Sequence, residues 1–369
     1  MWNFYQPTDI IFGEGEIRRI KNHLKRLNLH NPIILSDPFQ SIMDISTTIQ
    51  QDIGIKTIRI VSEVEPNPSI ENVDNLAEQA KEQNADCIIA VGGGSAIDCA
   101  KLAAVVVGCA KNTREILEGK TIENVIPIIA VPTTAGTGSE VTAVSIVSDK
   151  KNGVKKSLAN PGFFPKLAIV DPVLTYTCPK KVTASSGIDA LMHALDAMSS
   201  KKANPSTDAV ALYASKIVFE TLEHLVNNEN DTEARNKMAV ASLLAGMAFS
   251  QTGTTGSHAC SYHITAKYNI PHGEACALTA DEWYMINAEV RPELNNFAKQ
   301  LGLNDARGLS EELNRIKKAI GLRATLSECG IPELDIAEVA QKATEAGNAP
   351  NNIYPITSGL VESILERIK

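Results

Sequence analysis

Two stretches gather the side chains that could do chemistry. GIDALMHALDA, residues 187 to 197, places Asp189 four residues before His193. SHACSYHITAKYNIPHGEA, residues 257 to 275, carries His258, His263 and His272 out of seven histidines in the chain. In a helix, side chains four apart share a face, and this pair points roughly 140° away from the apolar stripe of Ile188, Leu191, Leu195 and Met198. Taken alone, that helix reads equally well as an exposed carboxylate–imidazole pair or as half of a metal site. The second stretch adds His272, held between Pro271 and Gly273 on a constrained turn, and His258, on a helical turn after TGTTG at 252 to 256. One carboxylate and several imidazoles suit iron(II) or zinc with a position left for a substrate oxygen. H-E-x-x-H does not occur, so the zinc-protease arrangement is absent.

A second chemistry is suggested by glycine-rich turns. In AVGGGSAIDCAK, residues 90 to 101, a buried strand runs into Gly92, Gly93 and Gly94 and then a helix. Backbone amides without a Cβ can approach an anion closely, and the helix N-terminus favours phosphate. The pattern is neither G-x-G-x-x-G nor a Walker loop. Ser95 and Asp98 read as cofactor contacts or as a helix-capping box. PTTAGTGSEVT, residues 132 to 142, offers Thr133, Thr134, Thr137 and Ser139 to a dinucleotide, or builds a polar turn. Asp37, in IILSDPF, sits where a carboxylate accepts hydrogen bonds from a ribose and repels a 2′-phosphate, which favours NAD over NADP; Ser-Asp-Pro is equally a turn initiator. Lys156 closes KNGVKK, the one dense basic cluster, which reads as a solvated turn; Lys156 is also a candidate cofactor contact.

These residues need elements to position them. A chain of 369 residues fits two domains. From residue 31, short β-rich runs alternate with helical stretches: PIIL at 32 to 35, KTIRIV at 56 to 61, DCIIAV at 86 to 91 and VIPIIAV at 125 to 131, with AVSIVS at 143 to 148 and KLAIVDP at 166 to 172 adding strands. That alternation predicts βαβ units and a parallel sheet. After Pro179 the sequence turns to helical period, rich in Ala, Leu and Met. The expected architecture is an α/β, Rossmann-like dinucleotide-binding domain over 1 to 181 and an all-helical metal- and substrate-binding domain over 182 to 369.

Composition excludes several classes. A net charge of −8 with scattered Lys and Arg argues against a nucleic-acid binder. No apolar run reaches the roughly 18 residues that span a bilayer, and the N-terminus shows no targeting pattern, so a cytoplasmic protein is expected. Seven cysteines, odd in number and without C-x-x-C, predict reduced and mostly buried thiols.

The chain resembles the iron-containing, or group III, alcohol dehydrogenases along essentially its whole length. IIFGEGE, VGGGSAIDCAK, PTTAGTGSE, AIVDPVLT, GIDALMHALDA and IPHGEA occur in the family's order. The resemblance implies a Rossmann-like N-terminal domain, a helical C-terminal domain of the dehydroquinate-synthase-like arrangement, and a divalent metal, Fe2+ or Zn2+, held by Asp189, His193, His258 and His272. It also implies NAD-linked hydride transfer to or from a small aldehyde or alcohol, and a homodimer or larger homo-oligomer. The family usually has a histidine four residues after His258; here that residue is Tyr262, which takes its place as the candidate proton donor. The stretch ACSYHITAKYNIPHGEACALT resembles the phosphonoacetaldehyde reductase branch, and His263 and Lys267 are candidates for an anionic substrate. The alternative is a metal-dependent lyase or cyclase of the dehydroquinate synthase type.

Overall fold

A computed structural model describes residues 1 to 55 and 57 to 369. The chain divides into two compact units: Gln6–Thr134 with Ser139–Cys178, and Pro179–Lys369 with Met1–Tyr5 and Ala135–Gly138.

The first unit is built on a six-stranded sheet of β1 (Asp9–Phe12), β2 (Pro32–Ser36), β3 (Ile60–Val61), β4 (Cys87–Gly92), β5 (Ile128–Pro132) and β8 (Leu167–Val170). Its order is β1-β8-β5-β4-β2-β3, with every pairing parallel. The apolar runs of β2, β4 and β5 are continuous because both faces are covered. Ile33, Leu35, Ile88, Ala90, Ile128 and Ala130 pack into one core with the helices Ile70–Glu82 and Gly94–Cys109. Their neighbours Ile34, Ile89, Val91, Ile129 and Val131 pack on the opposite face with the helix Gln40–Ile53. This is the doubly wound arrangement expected from the alternation of strands and helices.

Two details depart from the sequence reading. The strand expected at 56 to 61 is ordered as β only at Ile60–Val61, and Lys56 lies outside the described residues. The strand at 143 to 148 leaves the parallel sheet: β6 (Val144–Asp149) pairs antiparallel with β7 (Val154–Ala159) in a separate hairpin. KNGVKK thus forms the hairpin's turn and the start of β7. The strand β1, at the sheet's edge, had no β-rich run long enough to announce it.

The second unit is helical. The helices Lys180–Met198, Pro205–Asn227 and Thr232–Thr252 share one core, and the helix Gly256–Tyr268 joins the C-terminal helices Ile336–Glu345 and Ser358–Arg367 in another. Among the described residues, no helix is long and apolar enough to cross a membrane. All seven cysteines are free.

Candidate functional site

The helix Lys180–Met198 is buried on nearly every side, so the exposed-pair reading of Asp189 and His193 fails: both side chains are buried. Their nearest oxygen and nitrogen are 3.9 Å apart. His258, near the start of the helix Gly256–Tyr268, brings Nε2 to 3.7 Å from Asp189 Oδ1, too far for a hydrogen bond. His272 opens the helix His272–Val290 as its first residue, directly after Pro271. Gly273 permits that placement. A Cβ there would stand 2.0 Å from the Ser185 carbonyl oxygen and 2.7 Å from Asp189 Cβ, so only glycine lets the two helices approach.

Rings pack around the carboxylate. His193 and His258 stack at 4.6 Å, and His258 meets His272 edge-on at 5.4 Å. Phe249 covers the other face of His193 at 4.1 Å. The tautomers are set by the surroundings: His193 Nδ1 donates to the Gly136 carbonyl at 3.2 Å, and His258 Nδ1 donates to Asp196 Oδ2 at 2.7 Å. With Nδ1 so engaged, Nε2 is the nitrogen each of these rings can turn to a metal once it gives up its proton. Asp196 is itself held, accepting from the Thr255 amide at 2.7 Å and the Ser257 hydroxyl at 2.8 Å.

Burial would raise the Asp189 carboxyl, but the imidazoles of His193, His258 and His272 around it hold it at about 2. Burial pushes His193 down to about 4. Asp189 is therefore an anion and His193 neutral at ordinary pH, both competent as ligands. Asp189 Oδ1 and His258 Nε2 are buried with no hydrogen-bond partner. Two buried polar atoms left unpaired and close together are costly unless something binds between them. A divalent cation fits that need and this donor chemistry.

The sequence reading missed two members of the cluster. Asp196 stands seven residues after Asp189 on the same helical face, a periodicity that GIDALMHALDA contained. Cys276, counted among the inert buried thiols, places its sulfur in a group with Asp189, His258 and His272 whose donor atoms lie within 4.8 Å of one another. Burial would raise its thiol, yet His258 and His272 draw it down to about 7.

Tyr262 lies beside the cluster, its ring parallel to His272 at 6.0 Å and its hydroxyl bonded to Thr254; burial raises its pKa. His263 is placed otherwise. Its Nε2 lies 3.3 Å from Glu338 Oε1, and Lys267 pairs with Glu338 at 2.6 Å and Asp335 at 2.9 Å. Burial lowers the His263 pKa, and the Lys267 ammonium is engaged by two carboxylates.

In the α/β unit, the glycine turn is closed by Asp37, whose Oδ2 accepts the Gly93 amide at 2.9 Å. Gly92, at φ +153°, could not carry a Cβ, which would meet that carboxylate at 2.4 Å. Burial raises the Asp37 pKa against the pull of the Gly93 amide. The Thr133 amide donates to the Gly92 carbonyl, and the Thr134 side chain lies against Gly93. Gly94 begins the helix Gly94–Cys109.

The capping box does not form. Gly93 is the N-cap, without a side-chain bond, and Ser95 accepts the Asn67 amide. Asp98 instead accepts from Ser139 Oγ at 2.5 Å and from the Ile146 amide at 3.0 Å, while Lys101 Nζ donates to Ser139, Thr142 and the Val144 carbonyl. Asp98 and Ser139 thereby tie β6 to the helix. Lys156 Nζ lies 3.7 Å from Asp149, which Arg114 shares. Thr137 belongs to the helical unit.

A doubly wound sheet with a glycine turn, in one chain with a helical unit holding a buried Asp/His cluster, defines a class of metal-dependent, dinucleotide-linked oxidoreductases. The chain belongs to the iron-containing alcohol dehydrogenase family: residues 7 to 172 match "Iron-containing alcohol dehydrogenase" and residues 183 to 369 match "Fe-containing alcohol dehydrogenase family, C-terminal". It is 31% identical to the NAD-dependent methanol dehydrogenase of Bacillus methanolicus, over 94% of each chain. It is 33% identical to the 1,3-propanediol dehydrogenase of Klebsiella pneumoniae, over 95% of each. Among solved structures it resembles the sulfoacetaldehyde reductase of Bifidobacterium kashiwanohense in complex with NAD+, at 36% identity and a TM-score of 0.94, covering 100% of this chain and 98% of that one. These relatives are dehydrogenases and reductases, and the lyase alternative is not favoured.

Proposed function

We propose that this protein interconverts a small aldehyde and its alcohol with NAD, at a divalent cation held by Asp189, His193, His258 and His272. The observation that carries the metal reading is the unpaired Asp189 Oδ1 and His258 Nε2, buried 3.7 Å apart. When bound, the cation supplies Lewis-acid stabilisation of charge on a carbonyl oxygen, and the nicotinamide supplies or accepts the hydride.

The chain's own residues do the rest. Asp189 brings the negative charge, Gly136 and Asp196 hold two imidazoles in the tautomer that presents Nε2, and Gly273 lets His272 reach the cluster. Phe249 excludes water from one face of His193. Tyr262 retains its proton because burial raises its pKa, so its hydroxyl can donate to an oxygen that gains negative charge. The glycine turn of Gly92 to Gly94, closed by the Gly93 amide's bond to Asp37, is the candidate seat of the dinucleotide, and the Asp37 carboxylate would favour a free ribose 2′-hydroxyl. Ser95, Thr133, Thr134, Thr137 and Lys156 remain candidate cofactor contacts under this reading.

Similarity to the sulfoacetaldehyde reductase supports a substrate whose aldehyde carries an anionic group, a sulfonate or phosphonate. A cytoplasmic, homo-oligomeric enzyme is part of the same proposal, on the family resemblance. The test is His272→Ala: bound metal and NADH oxidation by an aldehyde panel should both be lost, with the fold intact by circular dichroism. Retention of metal and normal turnover would overturn the ligand assignment. Within the panel, a preference for neutral over anionic aldehydes would overturn the substrate class.

A further inference from the structure

The metal reading assigns one carboxylate and three imidazoles and leaves Cys276 without a task. We propose that Cys276 is itself a metal ligand, adding a thiolate to the set. The inference rests on the metal reading above but concerns a donor that reading does not use.

Geometry carries it. Cys276 Sγ lies 3.8 Å from His272 Nε2, one turn along the same helix, and shares the 4.8 Å group with Asp189 and His258. Asp189 Oδ1 and His258 Nε2, both without a hydrogen-bond partner, belong to side chains only 5% and 2% exposed, and both residues are in that same group. His193 is not in it, its ring drawn to Gly136 and Phe249. The separations of 3.7 Å between Asp189 Oδ1 and His258 Nε2 and 3.8 Å between Cys276 Sγ and His272 Nε2 are ones that bonds of about 2.0–2.3 Å to a single ion can span.

The chemistry follows from the donor. On ligation the Cys276 thiol gives its proton to solvent and the sulfur forms the bond to the cation, with no change of oxidation state. Two anionic ligands, Asp189 and Cys276, then neutralise a divalent ion. A soft thiolate shifts preference toward zinc or cobalt(II) and away from iron(II), compared with a site of one carboxylate and three imidazoles.

The experiment is to strip the full-length protein of metal, load it anaerobically with cobalt(II), and record the spectrum of the wild type and of Cys276→Ser. The expected result is visible d–d bands at one cobalt per chain, with an intense near-ultraviolet sulfur-to-cobalt band that disappears in Cys276→Ser while the d–d bands remain. In competition, the zinc-to-iron occupancy ratio of Cys276→Ser should fall about tenfold. X-ray absorption on the zinc-loaded wild type, which needs no variant, should show a sulfur scatterer at about 2.3 Å. Visible bands without the sulfur band, its survival in Cys276→Ser, or zinc with only nitrogen and oxygen neighbours would overturn the proposal and leave the metal reading standing. Failure to bind cobalt at all would overturn both.

Discussion

His258 Nδ1 donates a 2.7 Å hydrogen bond to Asp196 Oδ2, so the orientation of one candidate ligand depends on a carboxylate outside the candidate ligand set. Removing that acceptor should weaken the site without dismantling the helix. Asp196→Asn is expected to lower zinc or cobalt affinity about 10–100-fold in a metal titration, with circular dichroism unchanged. Unaltered affinity would show that the bond is incidental.

Gly273 is the contact point of two ligand-bearing helices. Gly273→Ala puts a methyl against the Ser185 carbonyl and must push the His272 helix outward. A loss of about 1–3 kcal/mol in denaturant unfolding is expected, together with reduced metal content. A variant as stable and as fully metallated as the wild type would contradict the packing described.

Tyr262 should matter to turnover more than to binding. Tyr262→Phe keeps the ring beside His272 and removes the donor, so kcat for aldehyde reduction should fall by about a hundredfold while metal content is kept. An unchanged kcat would move the proton's source to the cofactor or to water.

Asp37 is expected to select the dinucleotide. Asp37→Asn preserves an acceptor for the Gly93 amide and removes the charge, so the ratio of kcat/KM with NADPH to that with NADH should rise about tenfold. No change in that ratio would assign Asp37 to the turn alone.

Glu140 gives the α/β unit a pH signature of its own. Burial raises its carboxyl to about 7 from an ordinary value near 4.5. Between those values the folded chain holds more protons than the unfolded one, so stability falls as pH rises through the window. Glu140→Gln should flatten that part of the stability profile, measured by chemical denaturation from pH 4.5 to 7. A profile identical to the wild type would show that Glu140 ionises freely.

Local patterns in the sequence determined much of this protein. Runs such as DCIIAV and VIPIIAV specified strands buried on both faces, and the helical period after Pro179 specified the second unit, because these depend on spacing along the chain. Asp189, His193, His258 and His272 could be named for the same reason, from residue type, spacing and resemblance. Other features depend on what arrives from elsewhere in the chain. The carboxylates Glu338 and Asp335 that claim His263 and Lys267 lie some 70 residues on, and Ser139, which claims Asp98, lies 41 residues on. Cys276 looked like any buried thiol until the Lys180–Met198 and Gly256–Tyr268 helices packed against its own. A donor's chemistry is set by the atoms within a few ångströms of it, and for these residues only tertiary packing supplies them.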